Sequence, residues 1–266
     1  MVVMIDLFFQ KTPLWLFFPI TIILVLLSVT VGHWLGSRVR GREADETERP
    51  AGTIVGSNFA LLAFLLAFTF NMTASRFDAR KELLLEEVSA IGTTFLRADF
   101  LPEPERSVSQ ELLAEYVDIR AEDVMHLDRL AQAIARSEAI HDQLWSQVTD
   151  LVIPDRDPAL VRLYIRSLND VIDFHSKRVT VGMTYQIPGI VWLTLYLMTT
   201  LATTAMGYQF GLAEGRSRTM VIVLTLSFSV VIMLIADLDR SGEGLLLLNQ
   251  SPMVELQQII RKKQGL

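Results

Sequence analysis

The chain has 266 residues, 51% of them hydrophobic and 20% charged, with no cysteine and a formal net charge of −6. A mean hydropathy of +0.36 excludes an ordinary soluble globule, and the acidic balance argues against nucleic acid as a partner. Zero cysteine excludes a disulfide framework, a thiol nucleophile and Cys-ligated zinc or iron–sulfur chemistry.

Four stretches, roughly 12–37, 50–75, 179–213 and 219–236, hold no Asp, Glu, Lys or Arg. Each is long enough to cross a hydrocarbon core of about 30 Å, which takes about 20 apolar residues. The first span is expected over 14–36, with Trp15 near one interface and His33 and Trp34 near the other. The connection SRVRGREADETERPAG is short, charged and interrupted by Pro50 and Gly52, so a loop there turns the chain back into a second span over 53–74. Residues 1–75 thus form a first transmembrane hairpin.

From Arg76 to Arg178 the chain is polar, with 13 basic and 20 acidic residues. Its apolar positions recur at helical spacing, which predicts a helical extramembrane domain over 76–178. The first helix of this domain continues out of the second span, LPEPER is a turn, and the next stretch places Leu112, Tyr116 and Ile119 on one face. A third helix over about 127–152 ends at IPDRDP, whose prolines cannot continue it. The last carries Leu160, Val161, Tyr164, Ile165, Leu168, Val171, Ile172 and His175 as one stripe that needs partner helices to bury it. An antiparallel bundle meets that need.

The second hairpin, 179–240, has spans over about 187–209 and 219–237, with Pro188 and Gly189 at the mouth of the first. The tail, 241–266, ends in a short amphipathic helix in which Ser251 caps, Pro252 takes the first position and Arg261 to Lys263 face the C-terminal dipole. The fold class is therefore all-α: four transmembrane helices with a helical extramembrane bundle between the second and third. The short loops carry Arg38, Arg40, Arg42, Arg49, Arg216 and Arg218. By the positive-inside rule they are cytoplasmic, leaving both termini and the 76–178 domain outside the inner membrane.

Three constellations carry possible function. Gly56, Ala60, Ala63, Ala67 and Asn71 form a small-residue stripe on the second span, either a packing seam or the lining of a path that Phe64 and Phe68 gate. Arg76, Asp78 and Arg80 leave the second span where Asp237, Asp239 and Arg240 leave the fourth, a charged boundary cluster that either clamps helices or forms a vestibule. Thr199, Thr203, Thr225 and Ser229 are expected to bond their own helices. For catalysis there is no HExxH, GxSxG, GxxxxGK[ST] or GxGxxG. Histidines 33, 126, 141 and 175 lie far apart, Glu122/His126 and Glu138/His141 read as exposed ion pairs, and Glu86 and Glu87 as a solvated or ion-paired face beside Lys81. No catalytic residue, metal or cofactor is expected.

The segments NFALLAFLLAFTFNMTASRFDARKELLLEEVSAIGTTFLRADFLPEPER and IADLDRSGEGLLLLNQSPMVEL resemble the bestrophin-like family of bacterial membrane proteins, a likeness covering about 50–256. Bestrophins proper are pentameric anion channels with four membrane helices and a large helical domain between the second and third. The resemblance implies a passive ion channel, anion-selective, assembled as a symmetric homo-oligomer, with the lipid bilayer and small inorganic ions as its partners. Bestrophins hold that domain in the cytosol, whereas the arginine-rich loops here predict the other side. A non-conducting sensor or scaffold whose helical domain binds a partner is the alternative.

Overall fold

The computed structural model describes residues 2–122, 129–151, 158–183, 186–213, 218–240, 242 and 244–265. Side chains at 2, 3, 5, 7, 10, 40–51, 149–151, 158, 183 and 218 lie outside that description. The elements are α1 (Val2–Lys11), α2 (Leu14–Arg97), α3 (Glu105–Glu122), α4 (Leu130–Leu151), α5 (Pro158–Met183), α6 (Gly189–Leu212), α7 (Arg218–Asp239) and α8 (Ser251–Gln264), with a 3-10 turn at Ala98–Phe100. No strand occurs among the described residues. Four helical segments are long and apolar enough to cross a membrane: Leu14–Val39, Gly52–Phe100, Gly189–Leu212 and Thr219–Asp239.

The chain divides into two compact units, Met1–Arg76 with Gln186–Leu246, and Phe77–Tyr185 with Leu247–Leu266. In the first, α2 supplies two spans. Gly36 lies against Tyr208 and Gly211 of α6, and Gly52 against the Gln209 side chain. On one straight helix these glycines would stand about 24 Å apart, so the two portions double back on each other. The backbone is helical on both sides of Pro50 and Gly52, where a loop is expected, and the turn-back falls in this connection, where a proline both removes a donor and crowds the i−4 carbonyl. The side chains of Arg40, Arg42, Arg49 and Arg218, and residue Arg216 entirely, are outside the described set, so of the short-loop arginines only Arg38 is placed, its guanidinium 3.7 Å over the Trp34 ring.

Spans one and three cross through glycines. A Cβ on Gly32 would lie 2.0 Å from the Thr204 carbonyl oxygen and one on Gly36 2.2 Å from that of Tyr208. From the other side, a Cβ on Gly207 would lie 2.2 Å from the Val29 oxygen and one on Gly211 2.5 Å from that of His33. Two GxxxG runs thus face each other and bring backbone onto backbone, the contact that drives helix association in lipid. Leu14, Phe17, Leu62, Leu66, Trp192, Leu195 and Ile232 fill the rest of the core. Thr199, Thr203, Thr225 and Ser229 are buried and donate to their own i−4 carbonyls at 2.6–2.8 Å.

In the second unit the C-terminal part of α2 shares a core with α3, α4, α5 and α8 around Leu113, Tyr116, Ile140, Leu144, Tyr164 and Leu168. The fully buried face of α3 is Ser109, Leu113, Tyr116, Val117 and Arg120; of the expected Leu112, Tyr116 and Ile119, Tyr116 is at its centre and the other two pack, partly buried, at its edge. Leu160, expected in the α5 stripe, is exposed in the first turn, before the helix meets its partners. Residues of LPEPER turn the chain, and the Glu103 carboxylate accepts from the Ser107 hydroxyl at 2.6 Å. Helix α8 packs through Met253, Leu256 and Ile260, while Gln257 and Arg261 reach Asp118 of α3 at 2.7 and 3.0 Å. Ser251 is its first residue rather than its cap: Asn249 accepts from the Ser251 amide and hydroxyl at 2.9 and 2.6 Å.

Candidate functional site

On the second span the buried positions are Val55, Leu62, Leu66, Thr69 and Thr73, which turn into the chain's own core, with Phe59 half-buried and stacked on Phe228 at 5.9 Å. Gly56, Ala60, Ala63, Ala67 and Asn71 are all exposed. At about 100° per residue this stripe lies about 130° around the helix from the buried face. A Cβ added at Gly56 would meet nothing within 4 Å. Among the described residues, therefore, the stripe is left outside the core, and spans one and three meet through their glycines. Phe64 and Phe68, 66% and 59% exposed, stand beside the stripe.

The boundary cluster separates into pieces with distinct work. Asp239 is buried, accepts the Ile187 amide at 2.9 Å and lies 3.7 Å from Arg76. Asp237 is buried and receives the amides of Leu245 and Leu246 at 2.8 and 2.9 Å, fixing the turn that leaves the last span. Gly244 belongs to that turn at φ 112°, a left-handed conformation, and a Cβ there would strike the Asp237 carboxylate. Arg240 donates to the carbonyls of Phe9 and Thr12 at 2.8 and 2.5 Å, closing the C-terminal end of α1. Asp78 is exposed, and Arg80 is buried beside the Phe77 ring. The structure thus joins Arg76 to Asp239 and gives Asp237 and Arg240 backbone partners.

Sequence reasoning passed over α1. Its Asp6 carboxylate accepts the Gly189 amide at 2.5 Å at the start of α6, and Phe9 stacks on Trp192 and Tyr196 at 5.9 and 6.1 Å. Phe9, Phe17, Ile187, Trp192, Asp239 and Arg240 line a small cleft at this rim. The signal was present in Asp6 and Phe9, spaced three apart on a ten-residue helix.

Two readings in the helical unit need correction. Glu87 is wholly buried, although Glu86 beside it is exposed. Its carboxylate accepts from Tyr116 at 2.5 Å and from Arg178, and lies 3.3 Å from Arg120. Burial alone would raise this carboxyl, but Arg120, Arg178 and the Tyr116 hydroxyl bring it net below its ordinary value. His141, expected in an exposed pair with Glu138, is 5% exposed and stands edge-on to His175 with ring centroids 4.9 Å apart. Histidines distant in sequence are joined because α4 and α5 pack together. His126 is outside the described residues. No group of three or more metal-ligating side chains occurs among the described residues.

A family model described as the Bestrophin-like domain matches residues 23–245. Crystal structures of a bacterial bestrophin homolog from Klebsiella pneumoniae share the fold. One, a single-substitution form, aligns with a TM-score of 0.65 at 13% identity, covering 96% of this chain and 100% of that one. A second, phased by zinc anomalous scattering, aligns at 0.65 and 12%, covering 95% and 99%. No curated protein sequence matches.

Proposed function

Since this chain belongs to the bestrophin-like family, we propose that it works as a passive ion channel of the bacterial inner membrane, assembled as a symmetric homo-oligomer around the second span. The observation that carries the reading is the stripe Gly56, Ala60, Ala63, Ala67 and Asn71, exposed in the single chain at every position. Placed around an axis, small side chains leave room for a path, and the neighbouring Phe64 and Phe68 gate it by dewetting. Arg76, paired with the buried Asp239, sets the charge at one mouth. Anion selectivity follows by analogy with bestrophins proper. The short arginine loops place both termini and the helical unit on the extracytoplasmic side.

The native absence of cysteine makes the test clean. Single cysteines at 56, 60, 63, 67 and 71 react with a membrane-impermeant thiol reagent when they line an aqueous axis, whereas Ile23→Cys and Leu27→Cys, exposed on the first span, stay protected by lipid. Uniform protection of all seven positions would sink the pore assignment and favour a scaffold.

A further inference from the structure

The core of the helical unit contains polar groups that conduction does not use. His141 and His175 are 5% and 2% exposed. Around them α2 contributes Glu87, α3 contributes Tyr116 and Arg120, α4 adds Asp142 on its outer side, and α5 adds Arg178. Helix α8 directs its Arg261 to Asp118 instead.

Hydrogen-bond accounting places the protons. The Tyr116 hydroxyl has a single proton and gives it to Glu87 at 2.5 Å. Its oxygen also lies 3.1 Å from His175 Nδ1, so Nδ1 carries a hydrogen and donates it. The neutral tautomer of His175 then leaves Nε2 as a bare lone pair, and among the described residues this buried Nε2 has no hydrogen-bond partner. The Nε2 of His141 is buried and unpartnered too, as is the Ser137 hydroxyl on the same helix. Two basic nitrogens thus stand ready for a proton in a site that already holds two guanidiniums and one carboxylate.

We propose that His141 and His175 form a proton-binding site through which acidification loosens the packing of α4 and α5 in the helical unit. A proton on either ring adds a third positive charge beside Arg120 and Arg178, offset by the buried Glu87 and, at His141, by the outer Asp142. In the closed core that form is costly; with α4 or α5 displaced, water solvates it.

The direction follows from the shifts. Burial, with Arg120 adding to it, draws His141 down from 6.5 to about 4 against the opposing pull of Glu87 and Asp142. Burial, Arg120 and His141 itself draw His175 to about 3. Well above pH 6.5, from about pH 7.5 upward, neither the closed nor the open form binds these protons appreciably, and stability is full. As pH falls from 6.5 toward 4 the open form binds protons that the closed form excludes, so stability is lost progressively. Each imidazole changes the opening equilibrium by up to tenfold per pH unit, about 30-fold for one ring and about 800-fold for both between pH 7.5 and 5.

Hydrogen exchange on the full-length protein in lipid nanodiscs, read on peptides from 130–151 and 158–183 with times scaled for intrinsic pH dependence, tests this. The wild type is expected to hold nearly constant protection from pH 8.5 to 7.5 and to lose about 30- to 800-fold between pH 7.5 and 5. His141→Gln/His175→Gln is expected to be flat over the same range. A flat wild type, or an equal slope in the double variant, overturns the proposal. Should the double variant fail to fold, His33→Gln/His126→Gln decides: it keeps the pair and must keep the full slope, and a lost slope refutes the assignment.

Discussion

The two units bury polar atoms in opposite ways. In the membrane-spanning unit the buried polar side chains along the spans are mostly short hydroxyls, each bonded to its own helix, and helices approach through glycine. In the helical unit a charged glutamate, two arginines, a tyrosine and two histidines share one closed core. The difference reflects the solvent. In lipid, association gains nothing from excluding apolar surface, so close backbone contact must supply it. In water, burial of the surrounding leucines, valines and tyrosines provides a surplus large enough to carry the desolvation of an ion cluster.

The comparison can be broken at either end. The largest effect is expected from Gly207→Val, whose side chain would enter the Val29 carbonyl: folded protein recovered by size exclusion after detergent extraction should be lost, whereas Gly56→Val, facing open space, should be recovered as wild type. Next, Glu87→Gln strips the counter-charge from two buried guanidiniums and is expected to cost about 3–5 kcal/mol in the thermal or denaturant unfolding of the helical unit. Asp237→Asn weakens two amide bonds that hold the exit turn; a loss of about 1–3 kcal/mol, with faster exchange of the Leu245 and Leu246 amides, is the expected outcome. Arg76→Gln breaks a 3.7 Å, partly exposed pair, and a stability change within about 1 kcal/mol is expected even if conduction alters. An Arg76 effect as large as that of Glu87 would erase the distinction between the units.

The four spans were legible because lipid forbids charge over about 20 residues, and a charge-free run is a local property of the sequence. The turns at LPEPER and before Gly189 were legible for the similar reason that proline acts locally. The glycine crossing was not: Gly32-xxx-Gly36 and Gly207-xxx-Gly211 are each visible, but nothing local says that span one meets span three. The histidine pair escaped for the same cause, with His141 and His175 34 positions apart and their helices joined only in the fold. Glu87 read as part of a solvated or ion-paired face beside Lys81 because a carboxylate is usually exposed; it is ion-paired, but in the core, where the inward approach of Arg120 and Arg178 makes its burial tolerable. The small stripe was found in sequence, and its exposure on the single chain was what the structure added.

Ion flux from proteoliposomes holding the purified full-length protein, compared with Ala63→Trp, tests the channel most directly. The account predicts chloride flux in the wild type and its loss in Ala63→Trp, while the variant still elutes as a folded oligomer. Absence of flux for chloride and for monovalent cations across voltage and pH, or flux that the tryptophan leaves unchanged, would contradict it.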